Sequence, residues 1–340
     1  MVALYIVASS EAVGKTAIAA GLGKRLLGEG KKVGFLKPII ADKKPAGSNG
    51  DALFMKRILA LSEPVDTLCP LISSEGGLAN KIKEAYAKAS QGKDVVIVEG
   101  RCGQSPNEAL SKISYEIDEA LKAKVIIVEG HSSQAAAKFI DVYRGFGGNL
   151  LGIVLNKVPK SQLKRVSGEI SSKFDKDGIA ILGVLPEDRS LFTLTIGELT
   201  SHIQGEILNN AEKSAELVEN LIAGAMYVDS GLEYFGRKAN KAVVVRDDRP
   251  DMQMAALETS TRCLVISGST APIDYVRYKA EDKGVPIILA RDDTNAIVNS
   301  IEEALDKTRF NQEKKLLKMA EIMGQHLDFQ AIFSGLGLAN

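Results

Sequence analysis

The stretch YIVASSEAVGKTAIAAGL, Tyr5–Leu22, decides the fold. Its first residues continue an apolar run that begins at Val2. Its last residues have helical spacing and are rich in Ala and Gly, and the turn between ends in Gly14-Lys15-Thr16. A buried strand, a tight turn and a helix opening on Gly-Lys-Thr have the form of a phosphate-binding loop. There the backbone N–H groups at the helix start cradle phosphate, the lysine reaches the terminal phosphates and the Thr hydroxyl meets Mg²⁺. Ser10, Val13, Gly14, Lys15 and Thr16 are the candidate nucleotide contacts. The pattern departs at one place, because Ser9 stands where the first glycine of such a loop is expected. Serine is tolerated there if its φ stays negative. The competing reading is an ordinary strand-to-helix turn with a surface lysine.

Outward from this stretch, apolar runs alternate with helical periodicity: Lys32–Leu36, Asp94–Val98, Val125–Val128, Gly152–Leu155 and Ile179–Val184. Runs that are apolar throughout belong to strands covered on both faces, and strands separated by helices imply a parallel sheet. The first half is therefore expected to be an α/β, doubly wound, mostly parallel domain. A second, smaller α/β series follows, built on Ala242–Val245, Cys263–Ser267 and Pro286–Leu289, with a helical stretch at Gly197–Leu208 before it. The expected boundaries are 1–190, 191–308 and a helical tail over 309–340 that frays at its end.

Composition narrows the partners. Of 340 residues 45% are apolar, and Lys+Arg and Asp+Glu each number 43, so no overall field draws in nucleic acid or an anionic membrane. Cys69, Cys102 and Cys263 lie far apart without metal-ligand spacing and read as buried thiols of a reducing cytosol. Met1 leads straight into the first apolar run, and no apolar stretch reaches the length of a membrane span. The expected location is cytoplasmic.

Two runs end in an acid: VVIVEG (Val95–Gly100) and VIIVEG (Val125–Gly130). An acid at the end of a strand beside a phosphate loop can hold the metal. Glu99 is preferred to Glu129, because the turn Gly100-Arg101-Cys102-Gly103 after it would let phosphate approach the backbone. Lys37 ends the second strand on the same rim, its alternative being a lysine that faces water. His131, at the end of the other run, reads as a turn histidine that could touch a ligand.

The ordered set ASSEAVGKT, GKKVGFLKPI, GDAL, VVIVEG and GIVLNKVP resembles dethiobiotin synthetase, and equally the similar domain at the N-terminus of long bacterial phosphotransacetylases, over about residues 1–190. The resemblance implies ATP and Mg²⁺ as cofactors. It makes Lys15 and Thr16 the phosphate and metal contacts, Lys37 a second phosphate-facing lysine with a catalytic role beside Lys15, Asp51 and Glu99 metal-side carboxylates, and Asn156 the amide that reads adenine. Phosphoryl transfer to a carboxylate needs such cations and such acids. The segment PIIADKKPAGSNG after Lys37 departs from the substrate-binding part of that enzyme.

GAMYVD, VVVRDDRPDMQMAALE, CLVISGST and GVPIILARDDT make the second half resemble the DRTGG domain, with Asp248, Arg249, Ser267 and Gly268 on the naming positions and Ser269 in place of the last glycine. That resemblance implies a regulatory or dimer-forming module. No acyltransferase part is expected, since the chain ends at Asn340. Two functions stay open. One is a nucleotide-dependent regulator of acyl or cofactor metabolism that signals to a partner such as a separate acyltransferase. The other is an ATP-dependent ligase or kinase that activates a small carboxylate or carbamate as an acyl phosphate. A homodimer, no nucleic acid and no membrane complete the expected partners.

Overall fold

The structure is a computed structural model that describes residues 1–41, 49–73, 76–100, 112–131, 140–224, 231–306, 308 and 310–338, with backbone alone at 141, 169–173, 175 and 306. The chain forms two compact units, Met1–Asp188 with Phe310–Asn340, and Arg189–Arg309. Among the described residues no helix is long and apolar enough to cross a membrane.

The first unit is a six-stranded sheet of β1 (Val2–Val7), β2 (Val33–Leu36), β5 (Val95–Glu99), β6 (Lys124–Gly130), β7 (Leu150–Val158) and β8 (Ile181–Pro186). A small pair, β3 (Ile39–Ile40) and β4 (Leu71–Ile72), lies apart. The order is β2-β5-β1-β6-β7-β8, and every pairing is parallel. The chain winds one way through β2 and β5 and the other way through β6 to β8, so the winding reverses at β1. Its carboxyl end, where Ser9–Gly14 leaves the sheet, is the crevice where open α/β sheets take ligands. Successive residues Leu4, Tyr5, Ile6 and Val7 are all 0% exposed, as a strand covered on both faces demands.

The helix Lys15–Gly28 packs closely because its buried face is small. A Cβ on Gly21 would lie 2.1 Å from the Met323 sulfur, and one on Gly23 would lie 2.8 Å from Leu59. Met323 belongs to the helix Lys314–His326 of the tail, with Met319 and Ile322 buried beside it. The tail expected as a separate element is thus part of the first unit, since its apolar stripe must be covered and the glycine face of the first helix covers it. It also closes the sheet edge: Leu327 bridges Gly183, and the Asp328 N–H donates to the Leu182 carbonyl at 2.7 Å. A short helix, Phe329–Gly335, with Ile332 fully buried, follows; it takes in the first two residues of the end expected to fray, Ser334–Asn340, whose last two lie outside the described residues.

The second unit has a five-stranded sheet of β10 (Glu206–Ile207), β12 (Asn220–Ala223), β13 (Lys241–Arg246), β14 (Thr261–Ser267) and β15 (Ile287–Ala290), besides the antiparallel pair β9 (Leu194–Thr195) and β11 (Leu217–Val218). The order is β10-β15-β14-β13-β12, parallel apart from the edge strand β10. Alternate residues feed two cores: Ala242, Val244, Cys263 and Val265 pack on one face, and Val243, Val245, Leu264 and Ile266 on the other. The helix expected over Gly197–Leu208 stops at His202, because the chain turns at Gln204 (φ 49°) and Glu206–Ile207 joins the sheet. Cys69 and Cys263 are buried thiols, the latter pushed up to about 12 by burial, while Cys102 lies outside the described residues.

Candidate functional site

Parallel register brings the candidate residues together. Leu36 pairs with Val98, so Lys37 and Glu99 follow as neighbours one step further, and Ile6 pairs with Glu99 on the other side. Glu99 is 2% exposed. Its Oε1 accepts from the Thr16 hydroxyl at 2.9 Å and from the Lys37 ammonium at 2.5 Å. Lys37 also pairs with Asp51, which opens the helix Gly50–Ile58. Burial alone would lower the pKa of Lys37. The two carboxylates outweigh it and hold the ammonium above the usual lysine range, so Lys37 stays charged. Thr16, Lys37, Asp51 and Glu99 therefore form one cluster.

The loop itself is open to an anion. The helix after it starts at Gly14 (φ 96°), which has no side chain to cap with, and its first turn holds no acid, so nothing within the helix offsets its positive dipole end. Ser9 is absent from the residues with positive φ, so the serine fits, and Ala12 takes the left-handed turn instead (φ 56°), at a cost of about 1 kcal/mol. Ser10 is exposed, Val13 buried, and Lys15 half-buried with its charge acting on Glu129.

Asn156 also reaches the loop, through one of its two amide N–H donors. Its amide nitrogen, expected to face a purine, donates to the Val13 carbonyl at 2.8 Å, and a Cβ on Gly14 would meet that nitrogen at 2.3 Å. Glu129, given second place by its sequence, is 2% exposed and holds Ser9 twice: the Ser9 N–H donates to one oxygen at 3.1 Å and the hydroxyl to the other at 2.5 Å. Burial raises the pKa of Glu129, and bonds from Ser9 and Tyr143 and the charge of Lys15 oppose the rise. The repeated VEG pattern was the available signal. The contact with Ser9 depends on strand register, which no local pattern reports. Arg101, Cys102 and Gly103 lie outside the described residues, and His131 is partly exposed at the end of β6.

Glu99 keeps one buried oxygen without a partner among the described residues, and with Asp51 and the Thr16 hydroxyl it gives hard oxygen donors of the kind Mg²⁺ takes. No group of three or more His, Cys, Asp or Glu side chains gathers to hold a metal among the described residues. Phosphate oxygens and water would have to complete the shell, as is usual for Mg²⁺.

In the second unit, Asp248 pairs with Arg246 at 2.6 Å and Arg249 with Asp251 at 2.8 Å, while the Ser267 hydroxyl meets that of Thr294 at 2.7 Å. Gly268 (φ 134°) is required, since a Cβ there would strike the Asp247 carboxylate at 2.3 Å.

Comparison with known proteins agrees with both halves. Residues 2–193 match the AAA domain family and residues 198–304 the DRTGG domain. The first match covers more than half of the chain, and the chain belongs to the AAA domain family, its first unit being a P-loop nucleotide-binding domain. The phosphate acetyltransferase of Nitrosomonas europaea is 24% identical over 338 aligned residues, covering 91% of this chain and 47% of that protein. That of Pseudomonas aeruginosa is 23% identical over 376, covering 96% and 51%. The chain spans about half the length of these relatives. Among solved structures, the MinC:MinD cell division protein complex of Aquifex aeolicus matches with a TM-score of 0.39 and 19% identity, over 56% of this chain and 84% of that one.

Proposed function

We propose that the protein binds ATP with Mg²⁺ in its first unit and acts as a nucleotide-dependent regulator of acyl metabolism, with the DRTGG domain as the regulatory module. The observation that carries this is the convergence of Thr16, Lys37, Asp51 and Glu99 at the start of the helix that Lys15 opens, at the carboxyl end of β1. Lys15 would neutralise the terminal phosphates. Thr16, Glu99 and Asp51 would hold Mg²⁺, which when bound offsets phosphate charge. The acyl connection draws on the phosphate acetyltransferase relatives, and the ATP choice on the dethiobiotin-synthetase-like motifs. The proposed domain limits are 1–190, 191–308 and 309–340, the last packing on the first. Titrating ATP·Mg²⁺ into the full chain by calorimetry tests the reading, and absence of heat at millimolar nucleotide would refute it.

One observation favours a second reading, an ATP-dependent ligase or kinase acting on a small carboxylate or carbamate. Lys37 is a second fixed cation in the same cluster, as transfer of a phosphoryl group requires. ADP release that rises severalfold on adding one member of a carboxylate library would establish it. Homodimerisation through the second unit is proposed from the DRTGG match alone, and light scattering at two concentrations measures it.

A further inference from the structure

The serine that replaces the loop's first glycine does something glycine cannot. Val7 pairs with Ile127, so two steps on, Ser9 stands opposite Glu129. Glu129 takes both the backbone N–H and the hydroxyl of Ser9, and both residues are buried, at 2% and 6% exposure. On the next strand, Asn156, paired with Gly130, holds the other end of the loop through the Val13 carbonyl. Between these anchors the backbone passes through the left-handed Ala12. Such a turn is unfavourable for alanine, so the loop's shape has to be imposed from outside. The Ser9 N–H faces β6 and is thereby removed from the phosphate cradle, which is left to the N–H groups at the start of the helix.

We propose that Glu129 is a positioning residue. By gripping Ser9 at both donors it holds the phosphate loop in its binding shape before nucleotide arrives. The inference rests on the nucleotide reading above, and it assigns Glu129 no contact with nucleotide. Pre-forming a binding loop strengthens binding by reducing the ordering that the ligand must drive. Glu129→Gln keeps the shape of the side chain but turns an NH₂ toward one of the two donors. Ser9→Ala deletes one donor and leaves the backbone N–H.

Calorimetry of the full chain with ATP·Mg²⁺ should show affinity falling about tenfold for Glu129→Gln and a few-fold for Ser9→Ala, with the double variant no worse than Glu129→Gln. Hydrogen exchange supplies a reading that a merely structural role would not move. Amides of residues 10–14 should exchange faster in the free Glu129→Gln protein, and the difference should vanish at saturating nucleotide. If Glu129→Gln does not fold, Ser9→Ala decides alone. Unchanged affinity and exchange in the variants, with binding intact in the wild type, would overturn the role of Glu129 and leave the nucleotide site standing. No binding by the wild type would overturn both.

Discussion

Each unit sets a lysine against its sheet, half-buried in the first and buried in the second, and the two are treated in opposite ways. Lys37 in the first unit is gripped by Glu99 and Asp51, which hold it charged. Lys241, at the start of β13 and 0% exposed, finds among the described residues the Thr259 hydroxyl at 2.9 Å and the Ser260 carbonyl at 3.0 Å. With neutral partners, burial draws its pKa down to about 8. Helix starts repeat the contrast. The helix after the phosphate loop has no side-chain cap, whereas Asp293 fills the start of Thr294–Asp306 by accepting from Asn295 and Ala296, both at 2.9 Å. Asp247 likewise takes the N–H groups of Ser269 and Thr270, at 3.1 and 3.0 Å. One helix start is left without a side-chain cap or an acid in its first turn, and in the other unit side chains satisfy the donors.

The largest test of this contrast removes the first lysine. Lys37→Met leaves Glu99 buried beside Asp51 without a cation and should cost about 3 kcal/mol of stability. Arg246→Met in the second unit breaks an exposed pair and should cost under about 1 kcal/mol. Urea midpoints of the two variants compare them directly, and equal losses would abolish the distinction.

The second test uses pH. A lysine whose folded pKa lies below its unfolded value binds fewer protons when folded, so stability rises with pH between about 8 and 10.4. After allowance for solvent screening the rise due to Lys241 should be about 2 kcal/mol, and Lys241→Met should flatten it. Burial of the Cys263 thiol works the other way above about pH 9, so the comparison is between the two proteins: a stability gap between wild type and Lys241→Met that does not change across that window would mean that the folded pKa of Lys241 is not lowered.

Smaller effects probe the two sheet ends. Lys15→Ala should weaken ATP binding at least about tenfold, or about 1.4 kcal/mol, in calorimetry. Arg249→Ala should leave that affinity alone, and a matching loss there would show that nucleotide engages the second unit instead. Asp247→Ala frees the N–H groups of Ser269 and Thr270 and should cost about 1 kcal/mol. Bonds from Thr270 and Ser269 hold the carboxyl of Asp247 below its usual pKa, so its contribution is present above about pH 4 and is lost as pH falls through the lowered value. Asp247→Ala should accordingly show a weaker acid dependence in urea melts taken from pH 6 downward.

Much of the first unit was legible because its signals are local. Runs such as Val95–Val98 have no polar alternation, so a strand buried on both faces follows, and a parallel sheet puts strand ends such as Lys37 and Glu99 on one rim. What depends on register or on distant chain was hidden. Glu129 looks identical to Glu99 in sequence, and only the pairing of β1 with β6 turns it toward Ser9. That the Asn156 amide also reaches the Val13 carbonyl depends on the fold and not on any local pattern. Glu206–Ile207 continues a helical pattern, yet the sheet edge beside β15 claims it. The destination of the tail was equally hidden, since an amphipathic stripe states that a face must be covered and not by what.

The returning tail also sets an order of events during synthesis. A ribosome that has delivered Met1–Asp188 has made every strand of the first sheet, but the glycine face of the first helix and the edge at Gly183 still lack the residues that close them. The second unit, continuous from Arg189 to Arg309, is complete in sequence before Met319, Met323 and Leu327 have been added. The unit begun first is therefore completed only after the second, and the phosphate loop spends the translation of more than a hundred residues on a body whose packing is incomplete.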